Sequence, residues 1–469
     1  MPSAMREGGR LVVVGGVAAG MSAASRARRL RPDVEIVAVE RGRDVSYSAC
    51  SLPYFVGDVI RDREQLIAYS ADFFRRERRI DVRLETEAVG LDPRRRTVTL
   101  RSQGGPAEPL PFDSLVIATG ARPVKPPLPG IDIEGVFTLR TLEDGESLKR
   151  AIDAGGVRSA VVIGGGYIGL EMAEAFAARG ITVTVIELLP NLLSTYDPEI
   201  AALVEEELLR SGVVVRKGVR VEGFEPAANG RRLGYVLAGG QRLETDLALV
   251  AVGVRPAVEL ARAAGVELGT TGAIKVDARQ VTSEPSVLAA GDCCEALHVV
   301  TRHPAWIPLG TTANKQGRIA GENAVGGAAQ FGGVAGTNAT KVFDLEVAET
   351  GLSTETARRD GLDADAVQVT ASSRSGSYPG AAPIAVRLVF ERGTGRLLGG
   401  QMAGKEGVAK RIDTVAAALH AGMTVTELSD IDMSYAPPFA PVWDPVLVAA
   451  GQAVRKLRRR EGPRAPRFP

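Results

Sequence analysis

The run Gly164-Gly-Gly166-Tyr-Ile-Gly169 is the segment whose residue types and spacing point most directly to a chemistry. Glycines at this spacing act together where a strand enters a helix. The first permits a tight turn, the second lets the backbone approach a pyrophosphate, and the third lets helix and strand pack closely. The helix N-terminus then meets the phosphates. Glu187 follows 23 residues after Gly164, close to the ~20 expected for a carboxylate that binds ribose hydroxyls. A less complete copy, Gly15-Gly16-Val17-Ala18-Ala-Gly20, has valine at the second glycine position and Glu40 25 residues after Gly15. A third segment, Val287-Leu-Ala-Ala-Gly291-Asp292, reads as a short strand that delivers an aspartate beside a helix beginning near Pro308. Such an aspartate can hold the ribityl or ribose hydroxyls of a second dinucleotide.

The elements that must position these residues follow from hydrophobic periodicity. Leu11–Val14 is an apolar run entering the first glycine turn, Met21–Leu30 reads as its helix and Val34–Glu40 as the next strand. Residues 160–163, 170–179 and 181–187 repeat that β-α-β pattern, with Gly180 as a helix C-cap. Two further strand-to-turn segments echo each other: Leu115–Pro123, which contains Thr119-Gly120, and Leu247–Pro256, which contains Gly253. Pro126–Pro129 reads as a crossover between domains, and the glycine-rich stretch 326–336 as a second boundary.

Composition sets outer limits. At 469 residues the chain exceeds one ordinary core, and 45% hydrophobic content with 54 glycines fits buried parallel strands. A net charge of +1 argues against a general nucleic-acid or acidic-membrane partner. No apolar run approaches the ~18 residues of a membrane span. Residues 11–14 are broken at once by glycines and read as a strand, not a signal sequence. Three cysteines do not make a disulfide framework, so a reducing, cytoplasmic setting is expected. No metal is expected.

The order of the two glycine fingerprints, the Ala118-Thr119-Gly120 turn and the Ala290-Gly291-Asp292 segment resembles the glutathione-reductase-type pyridine nucleotide-disulfide oxidoreductases over nearly the whole chain. The resemblance implies an α/β fold of two Rossmann-like domains plus a C-terminal α+β dimerisation domain. It implies that residues 9–125 and 270–333 form a discontinuous FAD-binding domain, 126–269 an NAD(P)H-binding domain and 334–454 the interface of a homodimer. The tail 455–469, rich in Arg, Lys and Pro, is expected to be disordered. Gly15, Gly16, Val17, Ala18 and Gly20, with Glu40, Arg41, Thr119, Gly120, Gly291 and Asp292, are then candidates for FAD. Gly164, Gly166, Tyr167, Ile168, Gly169, Glu187 and Gly253 complete the cofactor candidates, with NADH expected over NADPH because Glu187 repels a 2′-phosphate.

The segment Ser46-Tyr-Ser-Ala-Cys50-Ser-Leu-Pro-Tyr54 sets the subgroup. Many members carry a second cysteine five positions on, where this chain has Phe55. A lone cysteine must cycle between thiolate and mixed disulfide, or between thiolate and sulfenic acid. Cys50 is expected to open a helix, since Ser46–Ser48 precede it and Pro53 suits a first turn. A helix N-terminus together with flavin would lower the thiol pKa into the ~3.5–7.5 range of activated cysteines. Cys293 and Cys294 are expected to be structural, since adjacent cysteines do not bridge without strain.

Within the single-cysteine group the chain resembles coenzyme A disulfide reductases and the related NADH oxidases and peroxidases. No histidine stands in the first glycine turn, which disfavours peroxide chemistry. By this resemblance Tyr435, in Ser434-Tyr435-Ala-Pro-Pro, reaches the second subunit's active cysteine, and the nucleotide part of coenzyme A meets Ser22, Arg26 and Arg29 on the first helix. Ser46 is a further substrate candidate. Tyr378 lies in Ser377-Tyr378-Pro379, where relatives often have Tyr-Tyr-Pro, so its catalytic role is an expectation with one tyrosine missing. The activity implied is coenzyme A disulfide reduction, with oxidase or peroxidase, persulfide or polysulfide reductase, and a non-enzymatic flavin redox sensor as alternatives.

Overall fold

The computed structural model describes residues 5–228, 230 and 232–461. In chain order, β1 (Arg10–Val14), α1 (Ala18–Leu30), β2 (Glu35–Val39), α2 (Leu52–Val56), β3 (Asp81–Arg83) and β4 (Ser114–Ile117) come first. Then follow β5 (Val136–Phe137), β6 (Ser159–Ile163), α3 (Tyr167–Ala178), β7 (Thr182–Glu187), β8 (Val214–Lys217) and β9 (Leu247–Val250). Next are β10 (Val287–Ala289), α4 (Gly310–Ala324), β11 (Asn338–Val342), β12 (Leu345–Gly351), β13 (Ala364–Ser372), β14 (Pro383–Glu391) and β15 (Leu397–Gly404). Helices α5 (Val408–Ala421) and α6 (Pro445–Glu461) close the described chain.

Two parallel five-stranded sheets carry the glycine turns. The first has the order β10-β4-β1-β2-β3, so the strand at 287–289 returns to the sheet begun at residue 10. The second has the order β8-β7-β6-β9-β5. Their central strands are buried and almost wholly apolar, as parallel strands covered on both faces require. A third sheet, antiparallel in the order β11-β12-β15-β14-β13, packs against α5 and α6. Among the described residues no helix is long and apolar enough to cross a membrane.

Buried polar bonds tie the second parallel sheet's unit to the antiparallel sheet. Asp197, which caps the helix Pro198–Arg210, pairs with Arg387 of β14 at 2.7 Å and accepts the Thr354 hydroxyl at 2.9 Å. Asp197 N donates to Gln401 of β15 at 2.9 Å.

The basic tail departs from expectation. Residues 455–461 continue α6 as helix instead of leaving it disordered. The physical reason lies on one face: Val446, Ala449, Ala450 and Ala453 are fully buried at helical spacing. Lys456 extends the attachment, donating to Asp365 Oδ1 at 2.8 Å and to Ala366 O at 2.9 Å. The rest of the tail, 462–469, lies outside the described residues.

Candidate active site

The two glycine turns match bond for bond. Gly15 N donates to Val39 O and Gly164 N to Ile186 O, both at 2.8 Å. Gly16 N donates to Glu40 and Gly165 N to Glu187, both at 2.7 Å. A Cβ at Gly20 would stand 1.7 Å from Gly15 O, and one at Gly169 would stand 2.0 Å from Gly164 O. Only glycine permits helix and turn to approach so closely. The copies differ at the helix N-cap. Gly166 caps α3 and nothing lies within 4 Å of where its Cβ would be, whereas Val17 caps α1. The open cradle at Gly166 and the free N–H groups beside it fit a pyrophosphate.

The other cofactor candidates fall around these turns. Gly120, Gly253 and Gly291 all have positive φ (70°, 106° and 84°), the turn backbone that glycine alone adopts readily. Thr119 donates its hydroxyl to Ala257 O at 2.7 Å, so it ties two turns together. Gly291 N is fixed by buried Gln316 of α4 at 3.0 Å, and Asp292 then projects beside the first sheet, paired with Arg140 at 2.8 Å. Ala18 begins α1 and Ile168 lies in the first turn of α3, while Arg41 is exposed beside Glu40. Tyr167 begins α3, but its hydroxyl donates to Glu349 of β12 at 2.6 Å, a destination its place in the fingerprint did not suggest.

Cys50 lies in a single 3₁₀ turn, Ala49–Ser51, just ahead of the short helix α2. Ser46 holds a left-handed backbone (φ 52°) and donates its N–H to Gly16 O at 2.8 Å, which docks the cysteine segment onto the first glycine turn. The cysteine is exposed. The helix N-terminus beside it is that of α4: a Cβ at Gly310 would stand 3.9 Å from Cys50 Sγ. The expected pKa depression is not what the protein chain alone produces. Although the residue is open to solvent at its surface, the protein packed around the sulfur partly desolvates it and pushes the thiol up; the Glu171 carboxylate adds to this and Asp292 adds less, while Arg140 pulls it down. Cys293 and Cys294 are buried free thiols facing backbone carbonyls and Gln316.

The substrate candidates on α1 separate. Arg26 forms an ion pair with Glu322 of α4, so its charge is committed within the fold. Ser22 donates to Asn314 at 2.7 Å. Arg29 remains exposed, and among the described residues its side chain donates to Ser25 O of its own helix at 3.4 Å. Tyr378 and Tyr435 come onto neighbouring loops, joined by Ser375 N donating to Pro437 O at 3.2 Å. Both rings are exposed.

Sequence reasoning missed Arg140, Glu171 and Glu349. Arg140 had a signal: it precedes the capping box Thr141-x-x-Asp144, and its own N–H is bound by Asp144 at 2.9 Å. Glu171 and Glu349 had none, because tertiary packing alone brings them to the site.

Two dinucleotide turns in series, a carboxylate just after the edge strand β10 of the first sheet and, among the described cysteines, one exposed thiol fit a flavoprotein reductase that takes electrons from a nicotinamide nucleotide. The chain belongs to the pyridine nucleotide-disulphide oxidoreductase family: residues 9–317 match its profile and residues 337–445 that of its dimerisation domain. It is an FAD-dependent NAD(P)H oxidoreductase. It is 40% identical to a CoA-dependent NAD(P)H sulfur oxidoreductase of Pyrococcus furiosus, over 94% of this chain and 98% of that protein. Among solved structures it is 42% identical to a NAD-dependent persulfide reductase of A. fulgidus, with a TM-score of 0.93 over 97% of this chain and 84% of that one. It is 37% identical to a reduced CoADR-RHD protein of Bacillus anthracis, with a TM-score of 0.94 over 97% and 82% of the two chains.

Proposed function

We propose that the protein reduces coenzyme A disulfide with NADH, using Cys50 as the sulfur that forms the mixed disulfide. One observation carries the reading: Cys50 is exposed at the N-terminus of α4, with Phe55 where a second cysteine would stand and with Cys293 and Cys294 buried. Bound FAD supplies the two electrons, received from NADH, that cleave the mixed disulfide. The Cys50 thiolate attacks one sulfur of the substrate and releases the first coenzyme A thiolate. Cleavage of the mixed disulfide then frees the second thiol and restores Cys50. The balance is NADH, one proton and one disulfide consumed, and NAD+ and two thiols formed.

In this reading Tyr435, brought by a second copy of the chain, donates the proton to the departing thiolate. The neighbouring apolar side chains Phe439, Val442 and Trp443 are 79%, 63% and 69% exposed, a surface that a second copy would cover. Gly164, Gly166 and Gly169 with Glu187 hold NADH, and Gly15, Gly16, Gly20, Glu40 and Asp292 hold FAD. The same reading places the protein in the cytoplasm. A second reading, reduction of a coenzyme A persulfide, uses the same thiolate and is favoured by the names of the sulfur and persulfide reductases to which the chain is similar.

Mass spectrometry of the purified, unreduced protein is expected to find an adduct of coenzyme A mass on Cys50. Adduct-free protein that still turns over NADH with oxygen alone would favour the oxidase alternative. Steady-state comparison of coenzyme A disulfide with its persulfide separates the two sulfur readings. Because Arg26 is paired and Arg29 is not, Arg29→Glu is expected to raise KM for coenzyme A disulfide by about tenfold, on the order of one charge-assisted contact. KM for a small uncharged disulfide should stay unchanged. Equal changes for both substrates would remove α1 from the substrate site.

A further inference from the structure

Glu349 lies on β12, in the dimerisation domain, yet two of its three bonds run to the nucleotide unit. One oxygen, Oε1, accepts three donors: the Tyr167 hydroxyl at 2.6 Å, the Thr195 hydroxyl at 2.7 Å and Asn338 Nδ2 at 3.2 Å. Tyr167 is the first residue of α3, directly after the cradle at Gly166. Thr195 ends the loop that follows Glu187, and that loop closes over the same turn, with Leu193 N donating to Gly165 O at 2.9 Å. The two walls of the glycine turn are therefore tied to one carboxylate oxygen from another domain. The Tyr196 ring packs edge-on against Tyr167, with centroids 6.3 Å apart. Among the described residues Asn338 Oδ1 is buried with no hydrogen-bond partner, while its Nδ2 is committed to Glu349. Burial holds the Glu349 carboxyl above its ordinary range, against the pull of its three donors.

We propose that Glu349 is a positioning residue for nucleotide binding and flavin reduction, acting as a cross-domain latch on Tyr167 and Thr195. This rests on the reading of Gly164–Gly169 as the NADH turn. Without the latch, the first turn of α3 and the loop before Asp197 lose their common anchor. The site then has to order them each time nucleotide binds. Reduction by NADH suffers more than the chemistry at Cys50, whose segment is docked on the first glycine turn through Ser46 N and Gly16 O.

The test uses the FAD-loaded enzyme and three variants, Glu349→Ala, Glu349→Gln and Tyr167→Phe. Glu349→Ala is expected to slow anaerobic flavin bleaching by NADH and to weaken NAD+ binding by roughly ten- to a hundredfold, as a small misplacement does. Thiol release by dithionite-reduced enzyme should be unchanged. Glu349→Gln, which keeps an acceptor oxygen, is expected to recover most of the loss. The double variant Glu349→Ala/Tyr167→Phe should be no worse than the poorer single variant, because the two share one bond. Hydrogen exchange is expected to rise in the first turn of α3 and in residues 189–196 of Glu349→Ala, while β12 itself stays protected.

Additive effects in the double variant, or equal losses in both half-reactions, would overturn the latch. So would NAD+ affinity equal to that of the unaltered enzyme. If Tyr167→Phe and Glu187→Ala both leave NADH handling untouched, the nucleotide-site reading falls too. If only the latch variants are silent, that reading stands alone.

Discussion

Cys50→Ser is expected to lower kcat/KM for disulfide reduction by more than about a thousandfold, since removal of a nucleophile leaves only binding and electrostatic assistance. FAD content and the NADH-driven bleaching of the flavin should be retained, because the cysteine segment is joined to the first glycine turn through the Ser46 backbone and the Val45 side chain, not through the Cys50 sulfur. Thiol release assayed with NADH and coenzyme A disulfide, beside the flavin absorbance, separates these outcomes. Turnover near the unaltered rate would remove Cys50 from the reaction. Serine conserves the shape, so misfolding does not explain a loss.

The same sulfur carries a pH signature. In the protein chain its thiol is pushed up, first by burial and then by Glu171, against the pull of Arg140. A raised thiol pKa means less thiolate at neutral pH and a reactivity that appears only as pH climbs past the ordinary thiol value. Alkylation of Cys50 in the flavin-stripped protein should follow that profile. Glu171→Gln removes the like charge and is expected to move the profile to lower pH. An unmoved profile would mean that Glu171 does not act on the sulfur.

The second large effect concerns the choice of nucleotide. Both oxygens of Glu187 are held by backbone amides, one by Gly165 N and the other by Leu189 N, each at 2.7 Å. The charge is therefore fixed at the end of β7, where the ribose of a dinucleotide belongs. The next residues, Leu188 and Leu189, are exposed and apolar, so neither supplies a cation for a 2′-phosphate. Lys217, opposite Glu187 in the β7–β8 register, is paired with Glu205. Repulsion of about 1–4 kcal/mol between effective dielectrics of water and ~20 gives NADH an advantage of roughly fivefold to several hundredfold. Glu187→Ala combined with Leu188→Arg should erase most of it. Equal kcat/KM for NADH and NADPH in the unaltered enzyme would sink the argument.

Much of this architecture can be read in the residues because glycine geometry is unforgiving. Gly15, Gly20, Gly164 and Gly169 sit where a Cβ would collide with backbone, so their spacing announces two β-α-β units before any fold is known. The cysteine segment is equally legible, since Ser46 to Pro53 lie together in the chain. The carboxylates and the cation that surround the sulfur are not. Glu171, Arg140 and Asp292 converge from three distant stretches, and their effect on Cys50 depends on burial that no local pattern records. The tail misled for the opposite reason: its arginines and prolines dominate the composition, while four small or branched side chains on one face of α6 keep its first part helical.

The crossing of α1 and α4 has a consequence for the size of the molecule that can be reduced. Gly317 and Gly321 bring the backbone of α4 against Ala19 and Ala23, so the two helices run side by side in the same direction. One end of this double rod touches the sulfur at Gly310, and Arg26 meets α4 at Glu322. At 1.5 Å per residue, the 12 residues from 310 to 322 set the arginine-bearing end ~18 Å from the thiol. On the proposed reading the rod would act as a ruler: an acceptor that is to feel Arg29, three residues beyond Arg26, while its sulfur meets Cys50 would need an arm longer than ~18 Å, and short disulfides would engage one end only.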